Sequence, residues 1–419
     1  MMIKDNFVAL KCVICGKEYG PDELEYICPK HGLKGNLDII YDYDKIRESF
    51  SKAMLEYNQE KSIWRYKELL PIQNNSLVPP LRIGWTPIYR AKRIEEQFNT
   101  GPLWIKDDGL NPTGSYKDRA SAIGVAKALE KKKRVITCAS SGNAAASLAG
   151  VAASVGLPTY LFVPEKAPKA KVAQMLIYGA HVILVEGTYD EAYELSLKAS
   201  NKYGWYCRNS GYNPYLSEGK KTGIFEICEQ LKWEPPENIF VAVGDGCIIG
   251  GLWKGIKDLI ALGFIEKSPK LFGVQAEGAS VLVQAWKSGK EEIIPVATPN
   301  TIADSVSVGI PRDPIKALRA VRESNGRFVA ISDKEILDAM SILAQYTGVF
   351  GEPAAAAAFA GFLKLTREDA FKPDDSTVII ATGNGLKDSN NAIKATRNPH
   401  IIKPVLSDVN KIIKQINIL

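Results

Sequence analysis

The sequence predicts an α/β protein built on parallel sheet covered by helices on both faces. Three observations predict it. Short β-branched or aromatic runs recur along the chain: VITCAS, TYLFVP, HVILVE, NIFVAVG, LFGVQA, RFVAIS and TVIIAT. Longer segments with helical spacing separate them, among them DRASAIGVAKALEKKK, APKAKVAQMLIYG and DEAYELSLKASNKYG. The alternation persists from the Pro-punctuated connector LLPIQNNSLVPPLRIGWTPIYR to roughly residue 395. Each helix returns the chain across the sheet, so successive strands run parallel.

Composition narrows the class further. At about 150 residues per domain, 419 residues make two or three domains. The chain is 46% hydrophobic and 24% charged, which excludes a disordered, collagenous or disulfide-dense protein. Lys+Arg number 53 against 47 Asp+Glu, and a net +6 over this length is no nucleic-acid signature. It still allows a local basic pocket for a small anion. No window reaches the roughly 18 consecutive apolar residues of a membrane span. The opening MMIKDNFVALKC lacks the apolar core of a signal peptide. Seven cysteines, an odd number, argue against a disulfide framework. We expect a soluble, reduced, cytoplasmic protein with no nucleic-acid or membrane partner.

Element by element, residues 1–40 stand apart. Cys12, Cys15, Cys28 and His31 form CVIC, twelve intervening residues and CPKH, and Gly16 and Gly32 follow the two halves. This is the spacing of two zinc-ribbon knuckles closing a tetrahedral site. A lobe this small buries too little apolar surface to fold alone, and a structural Zn²⁺ would supply the deficit. Residues 43–60 carry apolar positions at helical spacing and predict one amphipathic helix. The basic run Lys131–Arg134 reads as a solvated helix end, and Ala354 to Leu363 as a buried helix. His181 falls within a strand run and reads as structural. The tail after Pro404 predicts an amphipathic helix packed on the body or on a partner.

Chemistry concentrates at strand ends, where ligands of such sheets bind. Ser140, Ser141, Gly142 and Asn143 lead from VITCAS into an Ala-rich helix, a turn that suits an anion or an ordinary N-cap. Gly244, Asp245, Gly246, Cys247 and Ile248 follow NIFVAV, with Gly250 and Gly251 beyond. Glycines there let backbone wrap a phosphate, and no P-loop ending follows. Thr382 opens a third turn, TGNG, which serves a ligand or a plain turn. Lys117 sits near a predicted helix start, where the dipole disfavours a cation and favours a neutral, nucleophilic amine. A surface pair with Asp107 or Asp118 is the other reading. Histidine is too scarce for a triad: outside the ribbon only His181 and His400 remain.

NPTGSYKDR, SSGNAAAS, VGDGCIIGG and ATGNGLKD, in this order and spacing, resemble the fold-type II pyridoxal-phosphate enzymes, and most closely the threonine synthase family. GWTPIYR, KVAQMLIYGAHVILVEGTYDEA, NSGYNPYLSEGKKT, GVQAEGAS and GVFGEPAAAAA extend the resemblance over roughly residues 80 to 390. The N-terminal ribbon also occurs in that family. The resemblance implies two doubly wound parallel-sheet domains with the zinc-ribbon-like extension. Its boundaries are 1–40 for the ribbon, 41–120 with 215–400 for the large cofactor domain, 121–214 for the small domain, and 401–419 for the helical tail.

The resemblance also implies roles. Lys117 would be the Schiff-base lysine and the base. Asn143 would bond the cofactor's phenolic oxygen, Gly244 to Ile248 would hold its phosphate, and Thr382 would face its pyridine nitrogen. Ser140, Ser141 and Asn143 would bind the substrate α-carboxylate, with Lys106 and Ser115 toward its far end. The implied reaction converts O-phosphohomoserine to threonine in a cytoplasmic homodimer. The chain departs from the family at Ala144, Leu216, Asn384 and TIADSVSVGIPRD (301–313), losing two arginines; Arg312, Lys169 and Lys171 are the cations that would compensate. The 301–313 segment is similar to that of threonine/serine ammonia-lyases, so a lyase or β-replacement enzyme acting on serine, threonine or a related amino acid is the alternative.

Overall fold

The β-branched runs become strands where both faces can be buried, and the helices between them supply the cover. The computed structural model describes residues 6–74 and 77–416. The N-terminal lobe is a three-stranded antiparallel sheet of β1 (Phe7–Cys12), β2 (Glu18–Tyr19) and β3 (Leu37–Tyr41), ordered β2-β1-β3. The chain then lays down β4 (Ile88–Arg90) and β5 (Leu103–Asp107), which pair antiparallel. It leaves to build a parallel four-stranded sheet from β6 (Ile136–Ala139), β7 (Thr159–Pro164), β8 (His181–Val185) and β9 (Tyr206–Cys207), ordered β8-β7-β6-β9. It returns with β10 (Asn238–Ala242), β11 (Lys270–Ala276), β12 (Arg327–Ile331) and β13 (Thr377–Ala381).

These complete a six-stranded sheet ordered β12-β11-β10-β13-β5-β4, parallel except for β4. The order reverses between β10 and β13. The chain steps outward through β11 and β12, then returns to place β13 beside β10. Such a switch point opens a crevice at the carboxyl ends of the strands.

Burial follows position in the sheet. β10 and β13 are buried at every residue, as strands covered on both faces must be. Edge strand β8 is largely exposed, and His181 stacks on Tyr160 there, a structural placement. The helix Pro353–Arg367 buries Ala354 through Leu363. Its small side chains let it approach the sheet so closely that a Cβ on Gly361 would meet Val274 at 2.4 Å.

The single helix expected over 43–60 is instead two short ones, Tyr43–Arg47 and Lys52–Tyr57. Ser51 accepts the Met54 N–H and starts a new helix, while Asp42 caps the first. Phe50 between them turns inward and stacks on Phe264. The tail helix Leu406–Ile416 buries no residue, so its expected packing on the body does not occur within the chain. Among the described residues no helix is long and apolar enough to cross a membrane.

Candidate active site

Adjacent strands β10, β13 and β5 end on the same side, and β6 of the other sheet brings a fourth turn. The four turns line one cleft: Lys117, Asn143, Gly244 to Ile248 and Thr382, with Ser140 and Ser141 on the side of the smaller sheet. Residues more than 260 positions apart thus meet because three strand ends share one sheet edge.

Lys117 opens the helix Lys117–Glu130. The preceding Tyr116 N–H donates to Thr382 O at 2.8 Å, and Ser115 bridges Gly383, so the lysine is stapled to the β13 turn. Its half-buried amine makes no hydrogen bond or ion pair among the described residues. Burial, with the Lys220 ammonium nearby, brings its pKa down to about 8. Burial lowers Lys387 to about 8 as well, but its amine donates to Thr113 O (2.8 Å) and Gln174 Oε1 (2.6 Å). Of the two, only the Lys117 amine is without a partner among the described residues.

The glycine turn is a cradle. Gly246 has φ 90°, which an L side chain adopts only under strain, and a Cβ there would lie 2.6 Å from Asp313 O. It starts the helix Cys247–Ala261, whose first N–H groups lack intrahelical partners and suit a phosphate. From behind, the Asp313 N–H donates to Asp245 O at 2.8 Å. The N-terminal lobe reaches this support. Asn36 Nδ2 donates to Gly211 O (2.8 Å), Arg312 O (3.0 Å) and Asp313 Oδ1 (3.1 Å). Lys316 Nζ ties the same segment to Leu37 O (2.8 Å) and Asp38 (2.7 Å).

Asn143 begins the helix Asn143–Ala153. Its Nδ2 donates to Glu352 Oε1 (2.5 Å) and Ser305 Oγ (3.1 Å), while its buried Oδ1 lacks a partner. Sequence reasoning missed Glu352 and Ser305. Glu352 is 2% exposed and precedes a Pro-initiated helix, where an acidic residue reads as an ordinary helix start. No local pattern singles it out: its closeness to Gly383, where a Cβ would meet Glu352 Oε1 at 2.5 Å, exists only in the folded chain. Ser140 Oγ accepts the Gly142 N–H (3.1 Å), and Ser141 Oγ lies 3.4 Å from Asp304. Ser115 Oγ is fully buried beside the β13 turn with no partner among the described residues.

Neither residue expected toward the substrate's far end, Ser115 or Lys106, lines the cleft. Lys106, expected toward the substrate, is fully buried on the other side of β5. Its amine donates to Thr86 O (2.6 Å), Glu226 Oε2 (2.7 Å) and Gln230 Oε1 (2.9 Å). Arg119 pairs with Asp108 and Glu226 in the same network. A buried ammonium needs such a carboxylate, and this one is fully engaged. Two of the three expected compensating cations are committed too. Lys171 pairs with Asp304 at 2.8 Å and Arg312 with Asp190, while Lys169 is exposed.

These residues fit an aldehyde cofactor with a phosphate handle: a free lysine amine, a glycine cradle at a helix start and a threonine hydroxyl. In the N-terminal lobe, the ligand atoms of Cys12, Cys15, Cys28 and His31 lie within 4.8 Å of one another. The buried His31 Nε2 has no hydrogen-bond partner among the described residues, and Tyr19 Oη lies 3.1 Å from Cys28 Sγ. Gly16 and Gly32 have φ of 69° and 53°, so both knuckles turn through positions that favour glycine. The donor set fits a metal ion.

Known proteins agree with this geometry. A family described as "Pyridoxal-phosphate dependent enzyme" matches residues 80–383. The threonine synthase of Methanocaldococcus jannaschii is 40% identical over 407 residues, 97% of this chain and 99% of that protein. That of Methanosarcina acetivorans is 39% identical over 394 residues, covering 94% and 95%. Among solved structures, a fungal L-serine ammonia-lyase from Rhizomucor miehei aligns with a TM-score of 0.65 at 20% identity, over 74% of this chain and 96% of that one. At that identity it shows the fold alone. The chain belongs to the pyridoxal-phosphate dependent enzyme family and, within it, to the threonine synthases.

Proposed function

We propose that the protein converts O-phosphohomoserine and water to threonine and phosphate, with Lys117 as cofactor lysine and base. The reading rests on one observation above all: the only lysine lining the cleft, among the described residues, has a free amine beside the glycine cradle. Bound pyridoxal phosphate supplies an electron sink for the pair released when the substrate's α-proton leaves. Lys117 Nζ, neutral above about pH 8, takes that proton and passes protons among the α, β and γ carbons. The Cγ–O bond breaks, phosphate leaves with the electron pair, and water adds its hydroxyl at Cβ. The Gly244 to Ile248 turn holds the cofactor phosphate, Asn143 its phenolic oxygen, and Thr382 its ring nitrogen, which a neutral hydroxyl leaves unprotonated. Glu352 and Ser305 fix the Asn143 amide, while Ser140 and Ser141 take the substrate carboxylate.

We assign Zn²⁺ to Cys12, Cys15, Cys28 and His31 as a structural ion, since three thiolates and an imidazole leave no open position. The exposed stripe Leu406, Val409, Ile413 and Ile416 supports a homodimer. We place the enzyme in the cytoplasm, where its seven cysteines, none of them in a disulfide, stay reduced. The domain boundaries stated above are carried forward as part of this reading.

The test is a substrate comparison among O-phosphohomoserine, O-phosphoserine, threonine and serine. The expected result is threonine and inorganic phosphate in equal amounts from O-phosphohomoserine. Ketoacid from threonine or serine, with no phosphate released from O-phosphohomoserine, would overturn the proposal in favour of an ammonia-lyase.

A further inference from the structure

The protein pairs most of its buried cations. Lys221 is fully buried and pairs with Glu218 and with Asp258 at 2.6 Å. Lys106 and Arg119 share Glu226. Among the described residues three buried cations join no ion pair: Lys387, which is held instead by Thr113 O and Gln174 Oε1, and the two that follow. Lys220, next to Lys221 on the helix Tyr215–Gln230, is 1% exposed, and its Nζ has no partner among the described residues. Arg208, just past β9, is also 1% exposed and its Nη2 is likewise unpartnered. Its Nε donates only to Ser121 Oγ, at 3.3 Å. Neither joins an ion pair among the described residues.

Both side chains lie behind the cleft wall, against the helices that begin at Cys247 and Lys117. The Lys220 helix packs on the helix that begins at the cradle, so closely that a Cβ on Gly251 would meet Lys220 Cβ at 2.9 Å. Arg208 lies against the Lys117 helix, where a Cβ on Gly124 would meet its Cγ at 3.4 Å. Of the charged groups around Lys117, Lys220 does most to hold its amine down, and Arg208 acts in the same direction. Cys247, the first residue of the cradle helix, feels Lys220 most strongly among its charged neighbours. Burying two cations together without a counter-ion is costly unless a ligand brings the charge. The cradle N–H groups add partial positive charge at the same place.

We propose that Arg208 and Lys220 form a buried dication under the cradle that recognises a phosphate monoester. A dianion matches two positive charges where one carboxylate would not. The phosphate has two sources, the cofactor or a phosphorylated substrate, and only the second rests on the substrate reading above.

Lys220→Met and Arg208→Gln separate the sources. The first readout is the affinity ratio of pyridoxal phosphate to pyridoxal, measured by titrating full-length protein stripped of cofactor. If the dication serves the cofactor, each variant loses at least about tenfold of that preference, and Lys220→Arg restores most of it. If it serves the substrate, that ratio holds, while KM for O-phosphohomoserine rises at least about tenfold against the inhibition constant of unphosphorylated homoserine. A purely structural role predicts a lower melting midpoint for cofactor-free Lys220→Met. Our proposal predicts an equal or higher one, because an unpaired buried charge is removed. Both preferences within twofold of the unsubstituted protein, in both variants, would overturn the proposal. The pyridoxal arm and the melting readout do not depend on which amino acid the enzyme converts.

Discussion

The N-terminal lobe and the cleft both gather side chains around a ligand site, but they do so over very different lengths of chain. The lobe draws four donors from residues 12 to 31, and two glycine-turned knuckles place them. The cleft draws its groups from four strand ends spread over residues 117 to 382, and a whole sheet must form before they meet. Local sites need a ligand to hold themselves together, whereas the distant one is held by the fold around it. The two are also joined, because Asn36 spans from the lobe to the segment behind the cradle.

The largest effect belongs to the cleft. Lys117→Ala should abolish the visible absorbance of bound cofactor and cut turnover by at least about a thousandfold, measured by steady-state kinetics. Full activity in that variant would remove the distinction between the sites. Cys28→Ser should come next: metal content by mass spectrometry falls below one per chain, and residues before 40 become the first cut by protease. Because the lobe braces the cradle, cofactor affinity should then weaken by about tenfold. An unchanged affinity would show the two sites to be independent. Lys106→Ala should cost about 3 kcal/mol in chemical denaturation, since buried Glu226 loses one of its two cationic partners and a cavity is left, while KM stays within twofold. A raised KM would return Lys106 to the substrate site.

The pH dependence sharpens the contrast further. Lys117 has its pKa at about 8 in the folded protein, below the roughly 10.5 of a free lysine. The folded state therefore binds its proton less tightly than the unfolded state. The resulting penalty is full below pH 8 and is relieved as pH rises from 8 to 10.5. Capture of pyridoxal phosphate by cofactor-free protein should accelerate with a midpoint near pH 8, and a midpoint above pH 10 would place the amine in solvent. The smallest effect is expected of Asn36→Ala. It should weaken cofactor binding about threefold with the metal retained, which separates the brace from the metal itself.

The same contrast explains what the sequence made legible. The Cys/His cluster of the lobe was readable because its four members lie in one short pattern, whereas the lobe's three-stranded sheet was not. Lys117, Asn143, the glycine turn and Thr382 were readable because each sits at a strand end and carries its own turn chemistry. Glu352 and Ser305 were not, since their roles come from reaching Asn143 across more than 150 residues. Lys106 misled because β5 is covered on both faces, and spacing alone does not say which face holds the cleft. Arg208 and Lys220 look like any basic residues in sequence. Their lack of partners appears only once the surrounding helices are packed.

The most direct test is reduction of the cofactor-loaded enzyme with borohydride, followed by peptide mass mapping of the trapped adduct. The account predicts a single modified peptide carrying the label on Lys117. Label on Lys171, Lys387 or any other lysine, with Lys117 unmodified, would contradict it.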